Sequence, residues 1–153
     1  MQNELTDEIL IQFKADCYKA SVFDVLDLSD KQILALEKLT DNITDELLFG
    51  GAAGGGKSWL GCEWLLWNCL AYPGTRWFIG RHHLKQVRES TIVTFRKVCK
   101  KHKIPAAFWK YNDQSVHITF ANGSEINAIE MMYKPSDPEF DGFGSTEYTG
   151  GWI

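Results

Sequence analysis

The chain has 153 residues, of which 44% are apolar and 24% charged, with a net charge of −4. That balance suits one domain with its own core and excludes a disordered, collagen-like or coiled-coil chain. No basic-then-apolar leader opens the sequence, and its most apolar stretch, residues 59–72, is too short to span a bilayer and carries Glu63 and Asn68, so the expected location is cytoplasmic, with no membrane partner.

In chain order, Thr6 and Asp7 can cap a helix whose Ile9, Leu10, Phe13, Cys17 and Tyr18 share a face. A second helix is expected from Ser29-Asp30, with Ile33, Leu34, Leu36 and Leu39 inward. Glu46-Leu47-Leu48-Phe49 reads as a short buried strand. A glycine-rich loop follows, then an apolar helix over 57–71 that Tyr72-Pro73-Gly74 stops. Its Trp59, Trp64 and Trp67 have helical spacing for packing against a sheet. Arg76-Trp77-Phe78-Ile79-Gly80 is a second strand. A long helix over 84–102 is expected to turn Leu84, Val87, Phe95, Val98 and Cys99 inward. Residues 116–120 and 125–129 alternate around Ala121-Asn122-Gly123-Ser124, a hairpin signature. The end, Thr149-Gly150-Gly151-Trp152-Ile153, reads as the beginning of a strand, so a chain cut short inside its sheet is expected. Cys17, Cys62, Cys69 and Cys99 form no C-x-x-C pair and read as buried, reduced thiols.

The order of elements indicates an α/β fold: a core with a mostly parallel sheet, an antiparallel hairpin near 115–130 and a helical N-terminal segment. Charge is uneven along it. Residues 1–50 hold 11 acids and 4 bases, residues 76–110 hold 10 bases and one acid, and residues 111–153 hold 7 acids and one base. Lys85, Arg96, Lys97, Lys100 and Lys101 in the basic stretch are candidate contacts to a DNA backbone, Lys85, Arg96, Lys100 and Lys103 lying near one polar face. The same residues also suit a solvated face that answers the acidic N-terminal part.

Gly51-Ala52-Ala53-Gly54-Gly55-Gly56-Lys57-Ser58 fits G-x-x-x-x-G-K-[ST] at every fixed position. A triphosphate needs its charge matched while backbone wraps closely around it. Glycines let successive N–H groups point inward, and the helix that follows offers the positive end of its dipole. Lys57 suits the β- and γ-phosphates and Ser58 a Mg²⁺ ion, so ATP with Mg²⁺ is the expected ligand.

Together with Ser29-Asp30-Lys31-Gln32-Ile33-Leu34-Ala35-Leu36, Ile79-Gly80-Arg81 and Gly144-Ser145-Thr146-Glu147-Tyr148-Thr149-Gly150-Gly151-Trp152-Ile153, this loop resembles the large terminase subunit of tailed bacteriophages over roughly residues 29–153. The resemblance implies residues 1–28 as a helical segment and 29–153 as part of a RecA-like P-loop ATPase domain, with a nuclease domain further on. Such a motor hydrolyses ATP to drive double-stranded DNA into a procapsid, as a ring on the portal protein, with a small terminase subunit, in the bacterial cytoplasm. Gln32 matches a glutamine that can pair with the adenine edge, although a surface glutamine on a capped helix fits equally well. Arg81 matches an arginine that senses the γ-phosphate or serves a neighbouring subunit, although an ion-paired or solvated arginine fits too. Ala52-Ala53 stand where many relatives carry an arginine. In the family an Asp-Glu pair, the Walker B acids, follows a strand like Gly151-Trp152-Ile153, so binding with little hydrolysis is expected of these 153 residues. Another P-loop enzyme, such as a helicase-like ATPase or a kinase, and a non-catalytic interaction module are the alternatives.

Overall fold

The structure is a computed structural model and describes residues 27–41, 43–51, 54–139, 141–144 and 146–153. The helix expected from Thr6 and Asp7, and all but the last two residues of the 1–28 segment, lie outside the described residues. The chain divides into two compact units, Met1–Leu60 and Gly61–Ile153.

In the first unit, helix α1 (Asp30–Leu39) starts at Ser29, whose extended backbone and serine side chain form a capping box with Gln32. Thr40 ends it, its N–H donating to the Glu37 carbonyl and its hydroxyl to that of Leu36. The buried stripe is Gln32, Ala35 and Leu36. These positions are spaced i, i+3, i+4, which leaves Leu34 on the open side, 59% exposed, contrary to expectation. Residues 46–50 carry no regular structure, and Leu48 is 96% exposed. The strand expected over 46–49 is therefore absent. A short apolar run has no periodicity of its own to make it a strand, and every rung of the sheet is supplied by residues beyond Thr75.

Helix α2 (Lys57–Ala71) begins in the first unit and runs into the second. It is followed by β1 (Arg76–Arg81), a short helix α3 (Leu84–Gln86), a π-helical turn (Val87–Thr91), α4 (Ile92–Lys101), a 3-10 turn (Ala106–Phe108), β2 (Trp109–Asn112), β3 (His117–Phe120), β4 (Glu125–Glu130), α5 (Asp141–Gly144) and β5 (Gly150–Trp152). The strands form one sheet in the order β2-β3-β4-β1-β5. β1 is parallel to β4 and β5, whereas β3 is antiparallel to β2 and β4.

Two of the four pairings are thus antiparallel, and the RecA-like core with a mostly parallel sheet is not what the chain builds. The reason lies in the connections. Residues 113–116 and 121–124 are tight turns, and turns that short join only antiparallel neighbours. The β3–β4 hairpin was expected; β2, which extends it to a three-stranded meander, was not. β1, which leads into helices, is parallel to both of its neighbours.

The second unit buries one side of the sheet. Cys62, Leu65, Leu66, Cys69 and Leu70 of α2 and Ile92, Phe95, Val98 and Cys99 of α4 are buried with Trp77, Ile79, Ile118, Phe120 and Ile126 of the strands. Trp64 meets Trp77 edge-on at 5.2 Å, and Phe95 meets Trp109 at 5.4 Å. The helix expected over 84–102 is interrupted. The Ile92 N–H donates to the Val87 carbonyl, five residues back, so one extra residue sits in the turn. Among the described residues, no helix is long and apolar enough to cross a membrane.

Candidate functional site

The loop that precedes α2 is built from left-handed glycines. Gly54 has φ 85° and Gly56 φ 74°, conformations that residues with a Cβ rarely adopt. The Gly56 carbonyl accepts the Leu60 N–H at 2.9 Å, so Gly56 caps α2. Lys57 then folds back across the loop, its Nζ donating to the Gly51 carbonyl at 2.7 Å. Ser58 is half-buried in the first turn of α2, and that turn holds no acidic residue. A Cβ on Gly50, Gly51 or Gly54 would meet nothing within 4 Å. The loop therefore has open space beside it, a cation drawn over it, and a helix N-terminus free of acidic side chains, which is a donor set suited to a phosphate chain. Ser58 is the one hydroxyl of the motif that could reach a cation held by that chain. Ala52 and Ala53 lie outside the described residues, and Gly55 is exposed.

Gln32 comes to this loop from α1. Its Oε1 accepts the Ser29 N–H at 2.9 Å and the Ser29 hydroxyl at 3.0 Å, and its Nε2 donates to the Gly56 carbonyl at 3.0 Å. The side chain is only 8% exposed. Ser29 was expected as the start of this helix, and its S-x-x-Q spacing to Gln32 is the capping-box pattern.

Arg81 belongs to the second unit, at the end of β1. Its guanidinium lies 4.0 Å from the centroid of the Trp152 ring, and Nη1 donates to the Gly80 carbonyl at 2.8 Å. Burial lowers its pKa from the ordinary arginine value. Trp152 in turn lies so close to Gly61 of α2 that a Cβ there would fall 2.4 Å from the ring. Arg81 is thus engaged in a stack that the sequence did not reveal, since Trp152 comes from the far end of the unit.

The basic residues divide into two groups. Lys85 pairs with Glu89 at 3.6 Å, Arg88 donates to the carbonyls of Asp113 and Gln114, and Arg76 pairs with Glu125. Arg96 lies over the Tyr111 ring at 5.5 Å. Lys97, Lys100 and Lys101 are exposed on α4. The single polar face drawn through Lys85, Arg96, Lys100 and Lys103 does not hold. The extra residue in the π turn rotates Lys85 by about 100° relative to α4, and Lys103 lies past the helix end with φ 54°.

One buried cluster was missed. Glu63 of α2 is fully buried, and His102, just after α4, places Nε2 2.8 Å from both of its carboxylate oxygens. The Trp67 indole donates to Glu63 Oε2 at 3.2 Å. No spacing in the sequence announces a pair 39 residues apart. Cys62, Cys69 and Cys99 are buried as expected, and burial pushes all three thiols up, Cys99 to about 12. Among the described residues, no three His, Cys, Asp or Glu side chains gather as a metal site.

Compared with models of known protein families, with curated proteins and with solved structures, the chain finds no match.

Proposed function

We propose that the chain binds ATP with Mg²⁺ through the loop at residues 51–58, as the nucleotide-binding part of a DNA-packaging motor of the phage terminase type. The observation that carries the nucleotide reading is the complete G-x-x-x-x-G-K-S motif placed at the start of a fifteen-residue helix, with Lys57 folded over the loop. In this reading the backbone N–H groups at the start of α2 face the phosphates. Lys57 leaves the Gly51 carbonyl for the β- and γ-phosphates, and the Ser58 hydroxyl takes the Mg²⁺. Double-stranded DNA is the proposed partner of the exposed lysines on α4. Association with a portal protein and a small terminase subunit follows from the resemblance of the motifs alone.

The test is titration of the purified chain with a fluorescent ATP analogue, with and without Mg²⁺. Saturable binding is expected, competed by unlabelled ATP, strengthened by Mg²⁺ and lost in Lys57→Ala at an unchanged melting temperature. Binding that survives Lys57→Ala would place the nucleotide elsewhere.

A further inference from the structure

Three parallel strands end side by side, β4 on Glu130, β1 on Arg81 and β5 on Trp152. The carboxyl ends of parallel strands are where α/β sheets receive their ligands. Arg81 meets no carboxylate there. Glu130 is its register partner on β4, yet that acid accepts the Leu84 N–H and pairs with His83 at 3.7 Å and with Lys134 at 3.3 Å. The Cys62 thiol lies near Arg81 as well, but burial keeps it protonated. Of the other arginines, Arg76 pairs with Glu125, Arg88 lies 4.0 Å from the Asp113 carboxylate, and Arg96 is exposed. Charges taken out of water are normally paired. Arg81 is a half-buried cation with no counter-charge among the described residues.

We propose that Trp152 is a positioning residue for Arg81: its ring holds the guanidinium at the carboxyl ends of the strands without cancelling it, so that the remaining N–H donors receive a phosphate group. An aromatic face attracts a cation through its quadrupole and takes up no N–H. A carboxylate in its place would hold the guanidinium as firmly, but would neutralise it and occupy two of its donors. Within the described residues Arg81 gives one N–H, from Nη1 to the Gly80 carbonyl. Most of its donor fork is left over, and that fork matches the oxygens of a phosphate. The ring itself has a fixed seat, because Gly61 of α2 puts no side chain in its way. Partial burial also strengthens the attraction to an arriving anion, since little water screens it. Phosphate is the chemistry shared by a nucleotide's tail and the free ion, two sources that the experiment separates. The receiver stands whether or not the loop at residues 51–58 takes a nucleotide.

The experiment follows the arginine Nε–H signals of the full chain by NMR while inorganic phosphate, or ATP with Mg²⁺, is added. In the wild type the Arg81 signal, displaced by the ring current of Trp152, is expected to move on addition, whereas that of Arg76 stays in place. ATP that moves it in the wild type but not in Lys57→Ala assigns the phosphate to the nucleotide. Inorganic phosphate that moves it in both chains assigns the free ion. Trp152→Met keeps a large apolar side chain without a ring and is expected to weaken the phosphate about tenfold. Trp152→Phe, of similar volume but with an aromatic face, should restore most of that affinity, a rescue that a merely space-filling side chain would not show. An Arg81 signal unmoved by either addition overturns the proposal, as does wild-type affinity in Trp152→Met. Equal losses in Trp152→Met and Trp152→Phe reduce Trp152 to packing and overturn it too. If the wild type binds no nucleotide while inorganic phosphate still moves Arg81, the reading of the loop fails and the role of Trp152 holds.

Discussion

Nε2 of His102 lies 2.8 Å from both carboxylate oxygens of Glu63, and the two side chains are 7% and 0% exposed. This pair ties the middle of α2 to the end of α4. Removing one member leaves the other buried without its partner, which is costlier than removing both. His102→Leu is expected to destabilise the chain by about 3 kcal/mol, and Glu63→Leu with His102→Leu by clearly less. Urea unfolding of the single and double variants measures the difference. Equal midpoints for His102→Leu and the wild type would show that the pair contributes nothing.

Stability should fall off at both ends of the pH range, for different reasons. The Asp41 carboxylate accepts the Thr44 and Ile43 N–H groups and the Thr44 hydroxyl, with Lys38 nearby, and these hold its pKa down at about 2. A depressed carboxyl contributes stability above its unfolded value of 3.8, and that contribution is lost as pH falls through about 2. The buried thiols act in the opposite sense. Raised by burial above the ordinary 9.0, they contribute stability below that value, lost as pH climbs past it towards about 12 for Cys99. Thermal melts across pH check both limbs, and Asp41→Ala should flatten only the acid one. In the native state at neutral pH, Cys62, Cys69 and Cys99 should not react with a thiol reagent.

Gly61→Ala should reverse the usual rule. In an exposed helix interior the change stabilises by roughly 0.5–1 kcal/mol. Here the new methyl would lie 2.4–2.6 Å from three carbons of the Trp152 ring. Overpacking of this kind costs about 1–3 kcal/mol. Because Trp152 carries the Arg81 guanidinium, a change in indole fluorescence should accompany the lower melting temperature.

Two neighbouring glycines of the loop should differ. Both Gly54→Ala and Gly56→Ala meet the penalty of a positive φ, about 1–2 kcal/mol. At Gly54 the space is open, whereas at Gly56 the methyl would run into Gln32. Gly56→Ala is therefore expected to lower both melting temperature and nucleotide affinity more than Gly54→Ala. Equal effects would mean that Gln32 yields freely.

Charge reversal on α4 tests the proposed DNA face. Lys97→Glu, Lys100→Glu and Lys101→Glu together should weaken duplex binding for all sequences alike. The slope of log affinity against log salt should shrink by about one for each lysine that neutralises a phosphate. An unchanged slope would leave these lysines as a solvated surface.

How legible the molecule was depends on the range of the forces involved. The loop, the start of α1 at Ser29 and the β3–β4 hairpin are set by neighbours in sequence, and each was readable. The strand over 46–49 was read from an apolar run of four, and a strand exists only through partners that such a run does not specify. The mostly parallel sheet was inferred from the alternation of elements; the short turns that force β2, β3 and β4 into a meander outweighed it. In the site, Lys57 and Gln32 were singled out from the motif and the resemblance. The partner of Gln32 is a backbone carbonyl 24 residues away, which no side-chain pattern encodes. Trp152 over Arg81 and His102 against Glu63 were out of reach for the same reason.

The π turn at Val87–Thr91 gives this part of the chain one residue more than an uninterrupted α-helix would need. In an uninterrupted α-helix, Arg88 would line up with Phe95, seven residues or two turns later. With the extra residue it is Val87, 1% exposed, that sits inward, while Arg88 reaches the carbonyls of Asp113 and Gln114. Losing Glu89 or Ser90 would bring Val87 to seven residues before Phe95, so an uninterrupted α-helix would keep the valine inward, whereas gaining a residue there would turn it away from the core. Substitutions at Glu89 or Ser90, both exposed, should pass almost unnoticed. A three-nucleotide deletion of either codon should accordingly be tolerated better than an insertion of the same size in that stretch of the gene.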